Sequence, residues 1–306
     1  MTMTDTLLLP KVYDKDELSN DDYHKKPDFY SRSQVHRWYE MQRKSGRSSS
    51  GKAQSLSERG VSAFGGNRGT EIGSLFDEAW DWIVSGKSVG EMLLTPPASV
   101  LTSNGQRRGK AYEAWRDLIR AEGKREANAE TVSQINFMVE AVFENKSAVD
   151  LLNRTTHLQR SVFFEHRDGH RLKARYDGEI EGDLVYDVKT TSSSWTELAK
   201  SFSSFGYFWQ AAWYSDSAYQ IGYPTFRMPF VVVQSVYPYE CQVLRCPDEF
   251  VQAAREQIAD TLNVAALRRE TGEYFPEDYG EIKELEIPAW MWKQEIYGGS
   301  DEPSRL

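Results

Sequence analysis

The chain has 306 residues, of which 40% are hydrophobic and 13% aromatic, enough for a sizeable core in one large α/β domain with appendages or in two domains. That balance excludes general disorder, and no apolar run approaches the length needed to span a bilayer. The net charge of −9, taken alone, argues against a nucleic-acid partner, which usually meets a basic footprint.

Residues 1–27 are polar and acidic and read as a tail or arm; the opening MTMTDTLLLPKVYDKDE lacks the basic stretch and small-residue cleavage site of a signal peptide. Asp28 to Lys44 is predicted as a helix capped by Ser31 or Ser33, with Val35, Trp38, Tyr39 and Met41 at helical spacing. The Ser/Gly-rich, basic stretch GRSSSGKAQSLSERG reads as a mobile loop at 43–60, with DNA contact and a solvated linker as the two roles open to it. A helix follows Gly69 through Ile72, Leu75, Phe76, Ala79, Trp80 and Ile83 to a stop at Gly86. Lys110–Ala121 and Ala129–Leu152 are helical, the latter with Ile135, Met138, Val139, Val142 and Phe143 on one stripe.

The pattern changes after Asn153. His157–His166, Leu172–Ile180 and Leu184–Thr190 are short, rich in β-formers and separated by Asp168-Gly169 and Gly182-Asp183, as in an antiparallel meander. A helix is predicted from Tyr207 to Tyr219, strands at Met228–Val236 and Glu240–Arg245 about a Tyr237-Pro238 turn, and a last helix from Asp248 to Arg269 ended by Gly272. Cys241 and Cys246 are oddly spaced on a strand and so face opposite ways, which argues against a disulfide or a metal pair and for a reducing cytosol. The basic residues Arg43, Lys44, Arg47, Lys52, Arg59 and Arg68 cluster against one acid, Glu58, and Arg107, Arg108 and Lys110 form a second group, so a local basic channel is compatible with the acidic total.

The informative segment is KARYDGEIEGDLVYDVKTT, Lys173 to Thr191. Strand alternation points Val185, Asp187 and Lys189 one way and Leu184, Tyr186 and Val188 the other. Asp177 ends the preceding strand, and the tight turn brings it near Asp187. Two carboxylates and one ammonium then converge. A pair of carboxylates suits Mg²⁺, with the backbone carbonyl of Val188 as a further ligand, and Lys189 is placed to orient or deprotonate an attacking water. Proximity to the metal would lower the lysine pKa, as suits a base. On the following helix, Gln210 and Tyr214 of WQAAWY are four apart and share a face, in reach of the lysine or the DNA backbone.

D…D-V-K followed by Q-x-x-x-Y resembles the RecB-type branch of the PD-(D/E)XK nucleases, and most of all the RecE-like (exonuclease VIII) recombination exonucleases of phages and prophages. SRSQVHRWYE resembles that group's opening helix, RGTEIGSLF its G-x-x-x-H helix, RRGKAYEAW and INFMVEAVFEN its middle, QRSVFFEHRDGHRLKARYDG the strands into the catalytic Asp, FVVVQSVYPYECQVLRCPDEF a later hairpin, and LEIPAW its C-terminal signature.

The resemblance implies a restriction-endonuclease-like α/β fold, a central mixed sheet flanked by helices. It covers one nuclease domain over 28–292, with a helical part at 28–152, a catalytic sheet–helix core at 153–292 and a tail at 293–306. It implies Asp177 and Asp187 as metal ligands, Lys189 as the catalytic lysine, Gln210 and Tyr214 as the auxiliary motif, and Arg175, on the face of Asp177, as a phosphate contact. It further implies Mg²⁺ (or Mn²⁺) as cofactor and degradation of one strand of linear duplex DNA, 5′ to 3′. A RecT-like single-strand annealing partner, a ring-shaped homo-oligomer and the cytoplasm of a bacterial host complete the expectation.

Three positions depart from the family pattern. Its helical metal-binding His falls at Gly73, which leaves Glu71 or Asp77 as substitute carboxylates; a family acid near the first strand is Gln159; and the proline of the signature is Tyr176. The alternatives are an end-binding protein without turnover, motivated by Gly73 and Gln159, and an endonuclease of the same fold. The version that holds an iron–sulfur cluster needs more than two cysteines.

Overall fold

The computed structural model describes residues 9–26, 28–58, 68–224, 228–275 and 282, with the backbone alone for 44–50 and 68–70. In chain order the first half comprises β1 (Lys11–Tyr13), α1 (Asn20–His24), β2 (Tyr30–Ser31), α2 (Arg32–Glu58), α3 (Arg68–Val84), α4 (Val89–Met92), β3 (Leu93–Leu94), α5 (Lys110–Ala121), β4 (Arg125–Glu126), α6 (Ala129–Glu144) and α7 (Lys146–Arg154). The second half comprises β5 (His157–Leu158), β6 (Ser161–Glu165), β7 (Arg171–Arg175), β8 (Gly178–Ile180), β9 (Leu184–Thr191), α8 (Leu198–Ser204), α9 (Tyr207–Gln220), β10 (Pro229–Gln234), β11 (Cys241–Arg245) and α10 (Asp248–Thr271).

The strands form a four-stranded sheet in the order β1-β6-β7-β2 and a five-stranded sheet in the order β11-β10-β9-β8-β5, with a β3-β4 pair apart. Both are mixed: β9 and β10 run parallel, as do β2 and β7, while the remaining neighbours in these two sheets are antiparallel. The expected meander is thus divided between two sheets. Its strands bend together, β5 into β6 at Gln159–Arg160 and β7 into β8 at Tyr176–Asp177. Gln159 takes φ 53, which breaks the first strand, and the Tyr176 N–H donates to the Arg160 carbonyl at 3.0 Å across the bend.

Strand alternation sorts the core into two layers. Val185, Phe230 and Val232 face Val35, Trp38, Trp209, Ala212, Trp213, Ile258 and Leu262 of α2, α9 and α10. Tyr186, Val188, Val231 and Val233 face Ile72, Phe76, Trp80, Ile135, Met138 and Leu151 of α3, α6 and α7. The five-stranded sheet is therefore buried on both faces, which explains the unbroken apolar run PFVVVQ of β10. Cys246 falls in the first layer and Cys241 in the second, both free and buried, as their odd spacing requires.

Several expectations change. Residues 11–26 are folded onto the sheet: β1 extends its edge, Leu18, Tyr23 and Phe29 pack on Phe163, and the buried Lys173 ammonium donates to the Tyr23 carbonyl at 2.8 Å and to the Lys26 carbonyl at 3.2 Å. At the start of α2 the Ser31 N–H and hydroxyl both donate to Gln34 Oε1 at 2.8 and 3.0 Å, so the Gln34 side chain reaches back over the first turn. The helix then continues through the Ser/Gly stretch to Glu58, where a loop was expected. Packing outweighs weak propensity there: Gln54 is buried and donates to the Ala265 carbonyl of α10 at 2.7 Å. Residues 59–67, and 276–281 and 283–306 with LEIPAW, lie outside the described residues.

The predicted helix 129–152 is two helices, because Asn145 leaves helical geometry and accepts the Ala148 N–H at 3.0 Å as the cap of α7. Phe143 is 55% exposed rather than part of the α6 stripe. At the far end Gly272, at φ 71, closes α10 with its N–H on the Arg268 carbonyl at 2.9 Å. No helix among the described residues is long and apolar enough to cross a membrane.

Candidate active site

The bend in the β-ribbon places Asp177 at the corner between β7 and β8. The register pairs Gly178 with Tyr186, so one step further Asp177 stands opposite Asp187. The Val188 N–H donates to Asp177 Oδ2 at 2.8 Å, which ties the corner to β9. The Asp177 and Asp187 carboxyl groups lie close enough for the charge of one to bear on the other. The Lys189 ammonium forms an ion pair with Asp187 and donates to the Val188 carbonyl at 3.2 Å, while the Tyr207 ring centroid lies 5.6 Å away. Asp177, Asp187, Lys189 and the Val188 carbonyl thus meet at one point.

Burial and the Asp177 charge push the Asp187 carboxyl up to about 7, against the pull of Lys189. Burial, followed by the Asp177 charge, pushes Asp77 of α3 up to about 8. Asp81, one turn on, is raised by burial, while an ion pair to Lys15 at 2.6 Å opposes the rise. Burial alone would lower Lys189, but the Asp187 and Asp177 charges outweigh it and hold the ammonium above its ordinary value.

Negative charge in excess of its partners is the mark of a site built for a cation. Asp187 Oδ2 is buried with no hydrogen-bond partner beyond the Lys189 ion pair, and the Asp177 charge bears on the same carboxyl. Two carboxylates and a nearby carbonyl suit a hard divalent ion such as Mg²⁺, which keeps several waters. Among the described residues no three His, Cys, Asp or Glu side chains converge as a ready chelate. Asp77 lies near enough to feel the charges of Asp177, Lys189 and Asp187, and Glu71 is exposed on α3. A side chain at Gly73 would crowd β9: an added Cβ would lie 3.3 Å from Thr190 Oγ1, tighter than ordinary contact.

The other expected residues divide. Gln210, only 2% exposed, donates to Asp187 Oδ1 at 2.6 Å and accepts from Arg32 Nη2 at 3.1 Å, so both ends of its amide are held within the protein, on the carboxylate rather than on Lys189. The Tyr214 ring meets Tyr176 edge-on at 5.3 Å, and burial, then the Asp187 charge, push its phenol well above its ordinary value. Arg175 is turned to the N-terminal arm instead of a phosphate. It donates to Ser161 Oγ at 2.8 Å, Asn20 Oδ1 at 3.1 Å and the Leu18 carbonyl at 2.9 Å, and it lies over the Tyr23 ring.

Sequence reasoning missed Arg32, Asp81 and Tyr207. Asp81 carries a signal, the i,i+4 spacing from Asp77. So does Tyr207, three residues before Gln210. Arg32 carries none, since its contact joins two ends of the domain. Gln159, in place of a family acid, lies with its Nε2 3.5 Å from Asp177 Oδ1.

The family model described as PDDEXK-like domain of unknown function (DUF3799) matches residues 103–285, which include Asp177, Asp187, Lys189 and Gln210. Among solved structures, a “Putative exonuclease” from Eubacterium rectale is similar at 13% identity and TM-score 0.56, over 91% of this chain and 98% of that one. An alkaline exonuclease from Laribacter hongkongensis aligns at 16% identity and TM-score 0.28, over 57% of this chain and 90% of that one. No curated protein matches the sequence. At these identities the Eubacterium likeness speaks to the fold, a mixed sheet flanked by helices.

Proposed function

Because this chain belongs to the PDDEXK-like family (DUF3799) of the PD-(D/E)XK superfamily, we propose that it is a divalent-metal-dependent deoxyribonuclease that degrades one strand of linear duplex DNA from an end. The observation that carries this reading is the meeting of Asp177, Asp187 and Lys189: the strand register sets the two carboxyl groups opposite each other, Asp177 is tied to β9 by the Val188 N–H, and an ammonium pairs with Asp187. Metal-dependent phosphodiester hydrolysis is the chemistry this trio serves.

Asp177 and Asp187 would hold the cation, and the Val188 carbonyl would be a further ligand. Mg²⁺ is the expected ion and Mn²⁺ its substitute. When bound, the cation supplies positive charge at the scissile phosphate and acidifies water. Lys189, held protonated, faces the oxygens on which charge develops and stabilises them. Gln210 fixes Asp187 through its amide N–H, and the Tyr207 ring closes one side of the ammonium. The nuclease domain of this reading extends over 28–292, with the arm at 11–26 as part of its sheet.

The finer reading rests on the resemblance to RecE-like exonucleases: 5′-to-3′ polarity, single strands left for a RecT-like annealing protein, and a ring of subunits around DNA in a bacterial cytoplasm. A basic channel inside an acidic ring accords with the net charge of −9. The test is incubation of linear and covalently closed circular duplex DNA with Mg²⁺ or Mn²⁺. An exonuclease releases nucleotides from the linear form alone, and Lys189→Ala stops release while leaving duplex binding. Equal cutting of closed circles points to an endonuclease. Binding of ends without release points to an end-binding protein, the reading that Gly73 favours.

A further inference from the structure

We propose that Arg32, at the start of α2, is a positioning residue that fixes the Gln210 amide and, through it, the Asp187 carboxylate. The inference rests on the hydrolytic reading above. Arg32 Nη2 donates to Gln210 Oε1 at 3.1 Å, and Gln210 Nε2 donates to Asp187 Oδ1 at 2.6 Å. A carboxamide can turn either its oxygen or its nitrogen to a partner. Here its two partners leave one choice, because a guanidinium only donates and a carboxylate only accepts. With Arg32 in place the buried amide must present its N–H to Asp187. Without it the buried amide oxygen has no donor, and the side chain loses the anchor that holds its N–H on Asp187.

A second contact gives Arg32 the same task from the backbone side. Its Nη1 donates to the Phe205 carbonyl at 3.1 Å, at the junction between α8 and α9. The next residue, Gly206, takes φ 69 as the cap of α9, and the His36 ring, one turn along α2 from Arg32, packs against its Cα so closely that an added Cβ would come within 3.0 Å. Arg32 and His36 therefore seat the first turn of α9, and Gln210 begins the second. One guanidinium sets both the height of the helix and the sense of the amide.

The experiment is a double-mutant cycle read by Mn²⁺ calorimetry and by kcat and KM on linear duplex DNA, with thermal melting as the folding control. Arg32→Met weakens Mn²⁺ binding about tenfold, the effect expected for removing an outer-shell partner. It lowers kcat with KM for DNA unchanged. Gln210→Leu does the same, and adding Arg32→Met to Gln210→Leu costs nothing more, because the arginine acts through the amide. Arg32→Lys, which keeps one donor, restores part of the affinity, and it carries the cycle if the methionine variant does not fold.

Additive losses, or a rise in KM with Mn²⁺ affinity intact, overturn the proposal in favour of direct contact with DNA. If the wild-type protein neither binds Mn²⁺ nor releases nucleotides, the hydrolytic reading itself falls. If it does both and Arg32→Met changes neither, the positioning role alone falls.

Discussion

Gly178→Ala tests the corner on which the site is built. Gly178 follows Asp177 and lies against the Tyr186 ring. An added Cβ would come within 3.0 Å of Cζ, the phenol oxygen and Cε1, where real side chains do not sit. The ring has nowhere to go. Tyr186 is fully buried, its hydroxyl accepts from Trp80 Nε1 at 3.1 Å and pairs with Thr155 Oγ1 at 2.6 Å, and burial pushes its pKa up to about 12. Overpacking a filled core costs about 1–3 kcal/mol, and each hydrogen bond lost as the ring is displaced adds about 1 kcal/mol. The expected loss is about 3–5 kcal/mol, a large part of the ~5–15 kcal/mol typical of a folded domain. Urea denaturation reads it as a lower midpoint at unchanged slope. Gly90→Ala, whose added Cβ meets its nearest neighbour at 4.0 Å, is the control and stays within about 1 kcal/mol of wild type. A wild-type midpoint for Gly178→Ala would refute the packing of Tyr186 beneath the corner.

The remaining predictions concern protons and packing. Asp187 and Asp77 are raised from 3.8 to about 7 and about 8, so across that window the cation-free native state binds more protons than the unfolded chain. Its stability therefore falls as pH rises through the window, and cation uptake releases protons. Mn²⁺ calorimetry in buffers of different ionisation enthalpy should detect that release at pH 6.5 and tighter binding at pH 8; identical heats in all buffers would contradict it. Lys173, buried beneath the arm, is lowered from 10.5 to about 8, so the folded protein binds fewer protons than the unfolded one between those values. Wild-type stability gains from that group as pH rises from 8 to 10.5, and thermal melts of Lys173→Met should lack the gain. Gly206→Ala places a Cβ at φ 69 against the His36 ring and should cost about 1–3 kcal/mol by denaturation, with weaker Mn²⁺ binding.

The sequence revealed elements wherever one local pattern decided them. Lys110–Ala121 forms the predicted helix with the same ends, and strand parity puts Asp187 and Lys189 on one face of β9. It hid what long-range packing decided. Ser and Gly have weak helix propensity, yet α2 runs through them because Gln54 is held under α10. The arm at 11–26 reads as acidic and polar, but Lys173 and Arg175 supply the donors that bind its carbonyls, and those two residues look like ordinary strand cations. The same capture turns Arg175 toward the arm, a direction that strand parity does not reveal. Asp177 was legible as a neighbour of Asp187 because a turn of fixed length joins their strands. Arg32 was not, because only the tertiary fold brings α2 to the start of α9.

In the proposed site Asp177 and Asp187 hold one divalent cation beside Lys189. Anomalous scattering from crystals grown with Mn²⁺ tests it most directly. A single strong peak is expected about 2.0–2.3 Å from oxygens of both carboxylates, with the Val188 carbonyl as a further neighbour. No peak between the two aspartates at saturating Mn²⁺, or a peak bound only elsewhere on the chain, would contradict it.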